Sequence, residues 1–223
     1  MEALLRELPW LLRGVGVAVE VLAGVMGFGL LGGLGAAVLQ AYGPRPLGLL
    51  VTAGERLLRG IPPIVLLLLV FYLPWDLPPL LVAILGLGLC SAAYQSQIFR
   101  TAFRSVSMGE LQAARALGLS KTQAIIHVVL PQAVRRALGP WSNELSSQIK
   151  DTSLAYIVGV VEILRQARYI ISYTYGNSLL VFCFCALLYF LLTRLGNSLL
   201  FRLEARLWVP GFVDRRGHFP TRR

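Results

Sequence analysis

An all-α integral membrane protein of about five spans is the fold class this sequence predicts, and two features carry the prediction. Of its 223 residues, 56% are hydrophobic and only 14% charged, against roughly 45–50% apolar and about 25% charged in soluble domains. That much apolar surface exceeds what one small core can bury, so lipid is the expected solvent. The charges, moreover, fall between long apolar runs, as they do where charge sets membrane topology. At about 20 residues per span, the chain holds roughly four to six helices. That leaves no room for a separate soluble enzyme domain, and the absence of a low-complexity linker points to one domain.

The formal net charge is +10, yet no basic stripe interleaved with aromatics marks a nucleic-acid surface, so nucleic acid is not an expected partner. Cys90, Cys183 and Cys185 lie inside apolar stretches, and a Cys-x-Cys pair on a helix points its thiols to different faces. They read as small apolar residues. With only His127 and His218 beside them, no metal site and no cofactor are expected.

Residues 1–13 are too charged for a cleavable signal. Leu4, Leu5, Leu8, Leu11 and Leu12 share a face, with Glu2, Arg6 and Arg13 mostly off it, so a short N-terminal interfacial helix is expected. The first span follows over residues 14–41, with Glu20 its only charge. Gly29-xxx-Gly33 and Gly32-xxx-Ala36 are spacings that let helices approach closely. After a Gly43-Pro44-Arg45-Pro46 loop, an amphipathic stretch becomes apolar over 61–73, interrupted by Pro62 and Pro63. Residues 74–79 connect without Lys or Arg, and 80–99 form the next span. A long polar region reaches about residue 150, the run 154–164 is short and apolar, and 178–201 is the last clear span.

Lys and Arg number three over 42–59, six over 100–136 and six over 202–223. The alternate side carries Arg6, Arg13, Arg165 and Arg168. Fifteen against four puts the basic side in the cytoplasm, hence the N-terminus outside, the C-terminus and the basic tail 207–223 inside, and an odd number of spans. Four are plain by hydropathy. The fifth has to come from residues 128–164, which are too polar for lipid and belong against other helices or along a path.

Within the cytoplasmic loop, about residues 105–132, Ser107 with Glu110 reads as a capping box and Gly118 as the left-handed residue ending a short helix. Ser120 with Gln123 is a second box opening the next helix. Leu111, Ala114 and Leu117 share one side of the short helix, which is too small to be stable alone and is expected to dock on a partner.

This loop resembles the cytoplasmic signature of ABC importer permeases: Glu-Ala-Ala, three residues, Gly, nine residues, Ile, any residue, Leu-Pro. Here Gln112-Ala113-Ala114, Gly118, Val128, Leu130 and Pro131 stand at that spacing, with Gln112 replacing Glu and Val128 replacing Ile. Glu55-Arg56-Leu57-Leu58-Arg59-Gly60-Ile61-Pro62, the run Tyr94 to Arg100, Leu130 to Ala133 and Lys150 to Leu154 are similar to the polar amino-acid (histidine, glutamine, arginine-type) permeases in particular. The resemblance covers roughly residues 14–206 and implies the type I transmembrane domain of an amino-acid importer in a prokaryotic cell membrane. It implies two permease subunits, identical or related, two ABC ATPases and an extracytoplasmic solute-binding protein. The short helix would be the coupling helix: Gly109, Gln112, Ala113, Ala114, Arg115, Gly118, Leu130 and Pro131 would meet the ATPase. The chain itself carries no P-loop motif, so ATP hydrolysis is expected on a partner chain and no catalytic residue on this one.

For the substrate path, Asp151, Thr152 and Ser153 are capping types just before an apolar run. They suggest a helix that breaks and restarts, offering its N-terminus to a carboxylate. Lys150 with Asp151 is either a packing ion pair or a substrate contact. Tyr94, Gln95, Gln97, Asn143, Glu144 and Gln148 are further polar candidates. Arg59 reads as snorkelling at the boundary or as a gate. Glu162 with Arg165 reads as a solvated pair near the outer surface or as a contact for a delivery protein. The second function class is an ATP-independent transporter or channel, which would show inverted repeats or a charge relay. A membrane enzyme would need a nucleophile and base on facing helices.

Overall fold

The computed structural model describes the backbone of residues 2–174 and 178–207 and the side chains of 7–173 and 178–206. Among these residues every regular element is helical. The expected basic tail, 207–223, falls outside the described side chains, as do Glu2, Leu4, Leu5 and Arg6.

Helix α1 (Glu2–Tyr42) is unbroken. Residues 2–13 run into the long helix without a break. Leu11 is fully buried beside Ile163, Ala167 and Val181, while Leu12 is exposed. Helix α2 (Arg45–Gly60) and helix α3 (Pro63–Phe71) are separated at Ile61 and Pro62. Two successive prolines lack the N–H groups a continuous helix needs. The α2 helix is apolar outward and polar inward: Leu49, Leu50 and Leu57 are exposed and Glu55 is buried.

Helix α4 (Pro79–Ser105) is the hub of the bundle, touching α1, α2, α3 and the later helix α7. Its long contact with α1 depends on absent side chains. A Cβ on Gly33 would lie 2.9 Å from the Ala92 carbonyl and the Ser96 amide, and one on Gly29 would lie 2.8 Å from Ser91 Oγ. Gly32 faces Ala92 at 3.3 Å in the same way. The Gly29–Gly33 spacing thus lies at the α1–α4 contact with Gly32 beside it, where backbones approach closely enough for dispersion to hold them.

Helix α5 (Met108–Ala116) lies between α4 and a long helical run formed by α6 (Lys121–Ala124), a π-helical turn (Ile125–Val129) and α7 (Leu130–Asp151). The widened turn comes directly before Pro131, whose ring and missing N–H disturb the regular ladder. Leu130 N–H reaches Ile125 O instead. The α7 helix is the polar span anticipated from 128–164; its 22 residues reach about 33 Å at 1.5 Å each. It buries Ala133, Ala137, Glu144, Gln148 and Ile149. Ser142 and Ser146 donate to Asn197 Oδ1 on the last helix at 3.3 and 2.7 Å.

A 3₁₀ segment (Thr152–Val158) follows and ends at Gly159, φ 101°. Helix α8 (Ile163–Thr174), not apparent in the sequence, packs Ile163, Ala167 and Ile170 against α1 and helix α9 (Ser178–Leu207). Glu162, fully buried, caps α8: it accepts the Leu164 and Arg165 amides at 2.8 and 2.9 Å and the Tyr189 hydroxyl at 2.6 Å. This corrects the expected solvated Glu162–Arg165 pair. The Arg165 guanidinium instead reaches Tyr156 O at 2.9 Å and Tyr169 Oη at 3.0 Å.

Among the described residues, Glu7–Tyr42, Pro79–Ser105 and Ser178–Arg206 are long and apolar enough to cross a membrane alone. The α7 helix is long enough but too polar to join them, and α2 and α3 are separated at Ile61 and Pro62. Cys90 and Cys185 are buried and Cys183 exposed, all as free thiols.

Two outcomes follow for stability in detergent. Gly33→Leu forces α1 from α4 and costs roughly 1–3 kcal/mol or more, whereas Gly35→Ala, with nothing within 4 Å, holds or raises the thermal midpoint, alanine being favoured in a helix interior by roughly 0.5–1 kcal/mol; scanning fluorimetry reads both. Glu162→Ala strands the Tyr189 hydroxyl and two amides, and should lower the midpoint more than Tyr189→Phe, which removes one bond of about 1 kcal/mol.

Candidate functional site

At the end of the bundle where α4 finishes, α5 stands out as a separate step. Ser107 Oγ caps it by accepting the Gly109 amide at 3.2 Å. The expected reciprocal bond from Glu110 is not formed; Glu110 is exposed. The helix closes with Leu119 N–H on Ala114 O and Gly118 N–H on Arg115 O, at 3.3 and 3.0 Å. This pairing puts Gly118 at φ 93°, a conformation open to glycine at no steric cost. Ser120 and Gln123 then form the full capping box, with Gln123 N–H on Ser120 Oγ at 3.2 Å and Ser120 N–H on Gln123 Oε1 at 2.9 Å.

Ala114 is buried and Leu111 half-buried, turned toward the bundle beside Val106 and Val129. Leu117 does not join them. As the residue before the glycine corner it is 86% exposed. Gly109, Gln112, Ala113 and Arg115 are exposed, Leu130 is half-buried and Pro131 exposed. No described atom lies within 4 Å of a Cβ placed on Gly118. Arg136 braces the loop by donating to Ser105 O, and to Ser105 Oγ at 3.0 Å. A cavity of about 210 Å³ between α5 and the bundle is lined by Tyr42, Phe103, Met108 and Leu111 among others.

In mid-bundle, α1, α4 and α7 meet through polar side chains. Ser91 Oγ and Gln148 Nε2 donate to Glu144 Oε1 at 3.0 and 2.9 Å. Gln95 Nε2 donates to Ser91 Oγ at 3.0 Å, and Trp141 Nε1 donates to Gln95 Oε1 at 2.8 Å. Ser91, Gln95, Glu144 and Gln148 are all buried. Such groups are tolerated in a lipid-embedded bundle because each has a partner.

A second cluster joins α1, α2 and α4. Gln40 Nε2 donates to Glu55 Oε2 at 2.8 Å, and Ser96 Oγ donates to Gln40 Oε1 at 3.4 Å. Arg59 and Arg100 approach Glu55 Oε1 at 3.6 and 3.5 Å.

The candidate path residues are therefore divided. Gln95 and Glu144 share the buried network, which also recruits Ser91 and Trp141. Tyr94, Gln97, Asn143 and Lys150 are exposed. On α7 the exposed positions Pro140, Asn143, Ser147 and Lys150 recur every three or four residues, a polar stripe along one face. The expected restart at Asp151 is corrected. The helix tightens into the 3₁₀ segment without a side-chain cap. Thr152 and Ser153 hydroxyls donate backwards, to Ile149 O and Lys150 O at 2.7 Å each, so no fresh helix N-terminus is presented there. Backward bonding competes with capping for the same hydroxyls. Ser91, Trp141, Gln40 and Glu55 were not singled out in the sequence as parts of a site.

Residues 29–209 match the family model described as the binding-protein-dependent transport system inner membrane component. The chain is 33% identical over 183 residues to the probable amino-acid permease protein YxeN of Bacillus subtilis (strain 168), covering 79% of this chain and 80% of that relative. It is 35% identical to the glutamine transport system permease protein GlnP of Escherichia coli (strain K12), over 68% and 71% of the two chains. Among solved structures, that of an amino acid ABC transporter with histidines superposes with a TM-score of 0.82 at 26% identity, covering 91% of this chain and 96% of that one. The inward-facing MetNI methionine ABC transporter shares the fold, with a TM-score of 0.79 at 22% identity over 91% and 98%. A long helical bundle, an exposed capped helix ending at Gly118 and this likeness over most of the length converge: the chain belongs to the binding-protein-dependent transport system inner membrane component family and is a membrane-spanning permease subunit of an ABC importer.

Proposed function

We propose that this permease forms the translocation path for a polar amino acid and draws its energy from a separate ATPase that docks on α5. The observation that carries the reading is the uncovered face of α5, where Gly109, Gln112, Ala113 and Arg115 are exposed around a glycine corner. Small residues admit a partner's backbone, Arg115 supplies a charge for it, and the Schellman closure keeps the element rigid enough to transmit a push. Leu130 and Pro131, after the π turn, pass that displacement into α7. On this reading α5 and the C-terminus lie in the cytoplasm and the N-terminus outside, with residues 1–13 meeting the outer interface and 14–206 forming the membrane domain; the excess of Lys and Arg on the α5 side supports it.

A second permease subunit covers the polar stripe of α7. Asn143, Ser147 and Lys150 cannot face hydrocarbon cheaply, so they line a path between two subunits. Tyr94, Gln95, Gln97, Glu144, Asp151, Thr152 and Ser153 complete its surroundings. An extracytoplasmic solute-binding protein delivers the amino acid. The relatives named for amino-acid and glutamine transport support the substrate class.

In a Cys183→Ser background, Gln112→Cys should react with a membrane-impermeant maleimide in inside-out vesicles and not in intact cells; the opposite pattern would overturn the orientation. Gly118→Leu cannot hold φ 93° without strain of about 1–2 kcal/mol. It should remain inserted while losing most ATP-driven uptake, and normal uptake by that variant would remove the basis for the coupling role.

A further inference from the structure

We infer that Arg59, set by Glu55 and stacked on Tyr94, is the subsite for the α-carboxylate of the transported substrate; this rests on the amino-acid reading above. Two guanidiniums share one carboxylate inside the bundle. Both Arg59 and Arg100 lean on the same oxygen, Glu55 Oε1, and neither comes closer than 3.5 Å. That oxygen accepts no hydrogen bond from a described residue, and the buried Arg59 Nε likewise donates none. The other oxygen, Oε2, is committed to Gln40. The cluster of Glu55, Arg59 and Arg100 therefore holds one positive charge in excess, together with donors in a fixed planar fork that matches a carboxylate.

The unmet demand is directional. The Glu55 side chain is 2% exposed, whereas that of Arg59 is 27% exposed. Its guanidinium lies 5.8 Å from the ring centroid of Tyr94, itself exposed, so the ring steadies the cation while leaving part of it accessible. One residue further on, α2 ends, and Ile61 and Pro62 run non-helically before α3. Irregular backbone at membrane depth persists where it is covered by protein or borders a water-filled cavity, and transporters place such breaks beside their substrates. An anion arriving there meets the accessible part of the Arg59 guanidinium, which carries the excess charge.

The test is equilibrium binding of radiolabelled L-glutamine, L-arginine and L-histidine to the purified permease–ATPase complex without the solute-binding protein, beside uptake by the complete importer in vesicles. The wild type is expected to bind a transported amino acid and to reject its carboxylate-free amine (agmatine for arginine, histamine for histidine). Arg59→Gln should weaken binding about tenfold to a hundredfold, the weight of one charge-assisted contact, and abolish the preference over the amine. Arg59→Lys should weaken it less, and the thermal midpoint checks that both variants are folded. Wild-type affinity in folded Arg59→Gln, or a loss of transport rate with affinity and amine discrimination intact, overturns the subsite. Carboxylate-independent binding by a wild type that still imports does so as well. Failure of the complete wild-type importer to move any of the three amino acids would instead overturn the amino-acid reading itself.

Discussion

The approach of α1 to α4 is the constraint on which the other contacts depend. In lipid, apolar side chains gain little by leaving one apolar neighbour for another, so helices associate through close packing and internal hydrogen bonds. Gly29 and Gly33 remove the atoms that would keep the two backbones apart. Opposite them lie Ser91, Gln95 and Ser96, the residues that tie α4 to α7 through Glu144 and to α2 through Gln40. Move α1 outward and Gln95 loses its reach to Met26 while Ser96 loses Gln40. One steric fact thereby positions both polar clusters.

The energetic consequence is that polarity is distributed unevenly. The Ser91–Gln95–Glu144–Gln148–Trp141 network is connected internally, and networks of that kind specify one arrangement of helices. The Glu55 cluster is connected only in part: its ion pairs are long and two buried atoms lack partners. Burying charge without full compensation is costly. A protein that retains the cost at one place, and not at a neighbouring one built from similar residues, has made those two places different.

Much of this was legible in the sequence. Residues 80–99 and 178–201 lie within the observed α4 and α9, Pro62 marks the α2–α3 break, and Gly118 and the Ser120–Gln123 box lie where local chemistry puts them. These features depend on nearest neighbours. The misreadings have two causes, local backbone geometry that overrode residue type and tertiary partners distant in sequence. Thr152 and Ser153 are good capping residues, but with α7 continuing through Asp151 their hydroxyls bond backwards. Glu162 looked like half of a surface pair until α9 brought Tyr189 to it. Leu117 matched the inward side of α5 by spacing, yet its place at the glycine corner turned it out. The arginine pair at Glu55 spans α2 and α4, 45 residues apart at Glu55 and Arg100, which no local pattern announces.

On the proposed reading, the α5 step is where this interior meets a separate ATPase. The ends of α5 are fixed by the Ser107 cap and the Gly118 corner, and the π turn before Pro131 links it to α7, whose exposed face carries Asn143, Ser147 and Lys150. The most direct measurement of this account is site-specific cross-linking of Ala113→Cys, in the assembled importer, to cysteines introduced on the surface of the ATPase subunit. The account predicts a permease–ATPase adduct whose yield changes when ATP is bound. No adduct in a complex that still hydrolyses ATP and imports its substrate would contradict it.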